Sequence, residues 1–148
     1  YIFNNYWFTN YKASQGGTLK FRFAITSMKD YNRSAAYRFG QSFRNPMPAI
    51  EIKRTGDRSN AASGSFFSVK PDNVMIQSIK KAESGDGFII KLLKTDNKPA
   101  TADITLPKSV RKAWKCNMVE DAISSLSIEN NRVKVDMSSG NLATILIK

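Results

Sequence analysis

The stretch Ser84-Gly85-Asp86-Gly87-Phe88-Ile89-Ile90-Lys91-Leu92-Leu93-Lys94 decides how this chain folds. Its first four residues are turn formers, two of them glycines. After them Phe88, Ile90 and Leu92 alternate with Ile89, Lys91 and Leu93. Side chains repeat every two residues in a strand and every 3.6 in a helix, so the run is a strand. Its start is apolar on both faces, which predicts a central strand.

The same pattern continues in both directions. Ser65 to Val69 is a short strand ended by Lys70-Pro71-Asp72-Asn73, and Val74 to Lys81 is the next. Asp96-Asn97-Lys98-Pro99 leads to Thr101–Leu106, which Pro107 closes. Val110 to Val119 mixes Trp114 and Met118 with three basic residues. Leu126 to Ile128, the pair Asn130-Asn131, and then Val133, Val135 and Met137 read as a hairpin with a tight turn. Leu142 to Ile147 is the closing strand. Short strands with turns every 8–12 residues predict an all-β, antiparallel β-sandwich. Roughly seven strands over residues 65–148 give it an immunoglobulin-like size. Cys116 is the only cysteine, so there is no Cys…Trp…Cys framework and no internal disulfide, and the compartment stays open.

The first third is organised differently. Leu19, Phe21, Phe23 and Ile25 share one face of Thr18–Ser27, with Lys20, Arg22 and Thr26 opposite, which predicts a half-buried strand. Before it, past the turn signal Gln15-Gly16-Gly17, stands Asn4-Asn5-Tyr6-Trp7-Phe8-Thr9-Asn10-Tyr11, aromatic enough to be a strand itself. Lys29 to Arg44 forms either a helical turn or two, or a loop returning to the sheet. Asn45-Pro46-Met47-Pro48 breaks any helix, and Ala49 to Lys53 resumes as a strand. Thr55 to Ser65 holds no large apolar residue. The expected division is therefore 1–54, the terminal strands of a larger β-sandwich; 55–64, a linker; and 65–148, a small complete sandwich.

Composition bounds the function. Hydrophobic residues are 41% and charged residues 24% of 148, a globular balance. No apolar run approaches the ~20 residues that span a bilayer, so no membrane partner is expected. No signal-peptide pattern is present, and the start at Tyr1 without a methionine suggests a fragment. The sequence contains no histidine, which rules out a Ser-His-Asp or Cys-His site built from this chain alone. The net charge of +11 is spread along the chain in ones and twos, as on the solvated outer faces of strands or a surface meeting an acidic partner. Basic residues and aromatics do not share one strand face, so nucleic acid is not expected as a partner.

The order of these segments resembles a known family over essentially the whole chain. Residues 4–11 followed by Ser14-Gln15-Gly16-Gly17 and Leu19-Lys20-Phe21-Arg22-Phe23 are similar to the C-terminal β-region of glycoside hydrolase family 38 α-mannosidases, in particular the bacterial type. Ser65-Phe66-Phe67-Ser68-Val69-Lys70-Pro71-Asp72-Asn73-Val74 resembles the opening of that family's terminal sandwich. Residues 80–92, Asn117-Met118-Val119-Glu120 and Leu142–Ile147 continue the likeness. The resemblance implies a retaining exo-α-mannosidase acting on mannose-containing glycans, with an N-terminal catalytic barrel. One zinc would be held there by two His and two Asp, and two further Asp would serve as nucleophile and acid/base. None of that machinery maps onto these positions. The implied role is a non-catalytic β-portion whose partner is the catalytic domain of the same enzyme, with zinc in the parent and no metal ligand or catalytic residue here.

Trp7, Asn10 and Tyr11 are the candidate substrate-binding residues, because rings stack on sugar C–H faces and amides bond hydroxyls. The competing expectation is that Tyr6, Trp7 and Phe8 pack inside the large β-domain or against the barrel. At least one of Tyr6, Trp7, Phe8 and Tyr11 is then expected to be exposed in this chain. Trp114, between Lys112 and Lys115, is expected to pack at the core or its rim under a lysine stem. Residues 84–87 form a turn, since a calcium loop needs more oxygen ligands. The alternative function is a carbohydrate-binding module without hydrolytic activity.

Overall fold

The computed structural model describes residues 16–51, 64–138 and 140–148. Among them are one helix, α1 (Arg33–Arg44), and nine strands. The strands are β1 (Ser68–Lys70), β2 (Val74–Lys81), β3 (Phe88–Lys94), β4 (Thr101–Thr105), β5 (Ala113–Cys116), β6 (Ala122–Leu126), β7 (Ile128–Glu129), β8 (Arg132–Asp136) and β9 (Leu142–Ile147). They form two antiparallel sheets, ordered β1-β4-β8-β7 and β2-β3-β9-β5-β6.

The sandwich follows from alternation. In β8 Val133 and Val135 are buried while Arg132, Lys134 and Asp136 are exposed, so one face of the four-stranded sheet is apolar. Ala102 and Ile104 of β4 share that face. Opposite them stand Val74, Ile90, Leu92, Ala143, Ile145 and Ile147 of the five-stranded sheet. Closing these faces over one another removes both from water, and each Ile, Leu or Val contributes roughly 1.5–3 kcal/mol. β3 lies between β2 and β9, and both Ile89 and Ile90 are fully buried, as its two-faced start predicted. The inner face of β3 ends at Lys94, whose buried amine donates to the Met137 carbonyl at 2.7 Å.

Turn chemistry sets the register. Asn130 and Asn131 have φ of 50° and 61°, the left-handed pair a two-residue hairpin turn requires, and they join β7 to β8. The Ser84–Gly87 turn links β2 to β3. The connection from β5 to β6 is built around Asn117, whose Oδ1 accepts from the N–H groups of Val119 and Asp121 at 3.0 and 2.9 Å.

Two expectations are corrected. Thr18–Ser27 is not in a strand ladder, and of Ala49–Lys53 the described residues 49–51 are not either. A strand exists only with a neighbouring strand to pair its N–H and C=O groups, and among the described residues no ladder forms with these segments. The regular secondary structure within residues 16–51 is instead the helix. Asn32 caps it by accepting from Ala35 N–H at 3.0 Å, Asn45 N–H returns to the Gln41 carbonyl, and Pro46 stops it. The linker expected at 55–64 lies outside the described residues except for Gly64. The sandwich has nine strands where roughly seven were expected.

Candidate functional site

Trp7, Asn10 and Tyr11, like Tyr6 and Phe8, lie outside the described residues. The described surface offers three other places of interest.

The first is the face of residues 19–25. Phe23 is 73% exposed and Ile25 95% exposed, and Leu19 and Phe21 are each about half exposed. The Arg22 guanidinium sits 4.9 Å from the centre of the Phe43 ring and ties this segment to the carboxyl end of α1. Large apolar groups exposed at this density are uncommon on a solvated surface.

The second is the amino end of α1 where it meets the sandwich. Ser34 and Thr95 share a hydrogen bond at 2.7 Å, and Arg38 donates to the Asp72 carbonyl at 2.9 Å. Beside these contacts lies a cleft of ≈ 380 Å³.

The third is a charged latch between two turns. Lys80 Nζ lies 2.6 Å from Glu120 and 3.0 Å from Glu83. The second oxygen of Glu120 accepts from Glu83 N–H at 3.0 Å. Lys80 and then the Glu83 amide hold the Glu120 carboxyl below its ordinary 4.5. A general acid needs the opposite shift, so Glu120 is suited to holding turns together and not to donating protons. Bonding to Glu120 and then Glu83 raises Lys80 above 10.5. The Glu120 contribution is complete above pH 4.5 and is lost as pH falls through its depressed folded value. The Lys80 contribution is complete below pH 10.5 and is lost as pH rises through its raised value. Glu120→Gln should therefore lower the melting temperature between those limits and flatten both limbs of its pH profile. An unchanged profile would show that the latch contributes nothing.

Asp103 and Asp86 have structural partners. Asp103 receives a two-pronged bond from Arg132 at 2.9 and 2.6 Å, and Asp86 pairs with Lys148 at 2.7 Å. Asp86 thus sits in the turn that residues 84–87 were expected to form. Burial pushes the Cys116 thiol up, which suits a packing residue and not a nucleophile. Trp114 is half-buried, as expected, but the amine near its ring is that of Lys148 at 5.8 Å, not a flanking lysine. Among the described residues no three of His, Cys, Asp and Glu gather to hold a metal. Together with the lack of histidine in the sequence, this donor set does not fit a zinc ion.

Sequence reasoning missed the latch and the cleft. Both join segments far apart in the chain, and only the Asn32-Arg33-Ser34 start of α1 carried a local signal, that of a helix cap.

Residues 73–144 match the family model described as the glycosyl hydrolases family 38 C-terminal beta sandwich domain. No curated protein and no solved structure matches the chain.

Proposed function

We propose, from the match of residues 73–144 to the family 38 glycosyl hydrolase C-terminal β-sandwich domain, that the chain is the non-catalytic β-portion of a retaining, zinc-dependent α-mannosidase. Its work is to bury one side of the catalytic part and to shape the rim of the pocket in which terminal α-mannosides of glycans are cleaved. The observation that carries this reading is the exposure of Phe23 and Ile25 in a chain that also holds a folded sandwich. Phe23 and Ile25 stand in water here, and a partner surface would remove them from it. Lys20 and Arg22 alternate with them, so the partner surface is expected to carry acidic groups beside its apolar ones.

The zinc and the reacting carboxylates belong to the rest of the enzyme in this reading. No step is assigned to residues of this chain.

Two measurements test the proposal together. The purified chain should show no turnover of an aryl α-mannoside, and measured turnover would sink the non-catalytic assignment. In the full-length enzyme, Phe23→Asp with Ile25→Asp should reduce recovered activity at least tenfold. The same pair in the isolated chain should shift stability by no more than about 0.5 kcal/mol per site, because both residues are already exposed. Full activity in the doubly substituted enzyme would show that this face docks against nothing.

A further inference from the structure

The two open sides of the sandwich are closed unequally. On one side stand β1 and β2, and α1 lies beside them through the Arg38–Asp72 and Ser34–Thr95 bonds. On the other stand β6 and β7, and among the described residues no further strand pairs with either. A sheet edge presents unpaired N–H and C=O groups, and native proteins guard it. β1 is three residues long and runs into Pro71. β2 ends in Lys80 and Lys81, and α1 faces its Met75, Ile76 and Gln77 across a cleft. β7 is only two residues long. β6 has five residues and neither a charge nor a proline; its one irregularity is a bulge against β5, where Ile123 is the extra residue.

The surroundings of β6 say what fits this edge. Ala122, Ile123, Ser124 and Ser125 are all exposed, and so are Met118 and Val119 in the turn before them. The strand is uncharged, but its two ends are not. Asp121 precedes it, and Lys112 stands beside its far end, because Ala113 pairs with Leu126. Both are exposed. Of the nearby acids, Glu120 is taken by Lys80, and Glu129 stands in the other sheet next to its ladder partner Arg132. The edge is therefore negative at its start and positive at its end. A second copy running antiparallel brings the start of each strand to the end of the other, so opposite charges meet twice. A parallel copy would set like charges together.

We propose that two copies of this chain pair through β6, antiparallel about a two-fold axis near Ser124, so that their five-stranded sheets become continuous. The same patch meets itself, so the contact closes as a dimer and does not propagate. Backbone hydrogen bonds carry it, and Asp121 of each copy lies near Lys112 of the other. A five-residue edge covers less than the roughly 1,200 Å² of a stable interface, so the dimer is weak and reversible. The inference goes beyond the docking role and does not rest on it. Arg22 and Phe43 hold the docking segment to α1, which lies beside β2. β3, β9 and β5 separate β2 from β6, a distance of roughly 19 Å at the usual strand spacing, so both surfaces can be occupied together.

The test is sedimentation velocity of the intact chain from micromolar to millimolar concentration, with hydrogen exchange at the amides of β6. A reversible monomer–dimer equilibrium is expected, with exchange in residues 122–126 slowing as concentration rises. Ser124→Glu faces Lys115 within the chain, which favours the fold, and sets two carboxylates together at the axis. It should weaken the dimer roughly tenfold. Asp121→Lys and Lys112→Glu should each weaken it about threefold, and the two reversals together should restore it. A chain that stays monomeric overturns the proposal, including one whose β6 amides are already protected by another part of the same chain. So does a dimer indifferent to Ser124→Glu, or one abolished only by Phe23→Asp with Ile25→Asp, which would place the contact at residues 19–25. Reversals that fail to restore each other overturn the antiparallel arrangement. None of these outcomes bears on docking to the catalytic part, which keeps its own test.

Discussion

Leu92→Ala is expected to destabilise the sandwich by about 3 kcal/mol, within the 2–5 kcal/mol typical of buried leucine truncations. Leu92 is fully buried on the inner face of β3, paired with Ile76 of β2 and Ala143 of β9, and it faces the four-stranded sheet. Removing its branched end leaves a void between two sheets whose backbones are fixed by ladders on both sides, so little collapse can refill it. A domain of this size has only about 5–15 kcal/mol in total, so the loss is a large fraction of its stability. Urea unfolding followed by circular dichroism should show a lower midpoint with an unchanged slope. Ile123→Ala provides the contrast. Ile123 is exposed on β6, and its loss should stay within about 0.5 kcal/mol. Equal losses at the two positions would show that the space between the sheets is not the core.

Gly87→Ala is the second large effect, with an expected cost on the order of 3 kcal/mol. Gly87 has φ of +93°, where an L side chain is strained. A Cβ there would press into the Ile147 carbonyl oxygen and come within 2.9 Å of Lys148 Cγ. The lysine can move aside. The carbonyl cannot do so easily, because it belongs to the backbone of β9 opposite the start of β3. Gly85 separates the two causes. Its φ is +81°, but nothing lies within 4 Å of where its Cβ would stand, so Gly85→Ala should lose only the conformational part, about 1 kcal/mol. Thermal unfolding of both variants reads the difference. Matching losses would rule out the close approach as the reason Gly87 is glycine.

Most of the sandwich was legible because its strands announce both their period and their ends. β2, β3 and β9 span the residues that alternation and turn signals outline. β6 was not legible. Its residues Ala122, Ile123, Ser124 and Ser125 are all exposed, so neither face carries a hydrophobic repeat, and the strand exists only because β5 offers a free edge. Thr18–Ser27 shows the reverse case. Its alternation is cleaner than that of any strand in the sandwich, yet it carries no ladder among the described residues. Alternation says that one face favours burial; it does not supply the neighbouring strand. The candidate sugar contacts Trp7, Asn10 and Tyr11 were drawn from ring density alone, and they lie outside the described residues.

The sequence alone determined an antiparallel all-β architecture, the absence of a histidine-based site, and a segment with one apolar face. These depend on local period, turn residues and composition, which need no partner to be read. Tertiary structure alone decided which strands are neighbours, that Lys29–Arg44 resolves into a capped helix, and that Lys80, Glu83 and Glu120 meet. It also gathered Tyr31, Asn73 and Asp96 into one cleft. Apart from the helix, whose cap is local, these arrangements join residues distant in the chain and are fixed when two apolar faces close over one another. No local pattern encodes which distant turn arrives beside which. The run from Phe88 to Lys94 therefore fixes a strand, and only the packed sandwich fixes what lies on either side of it.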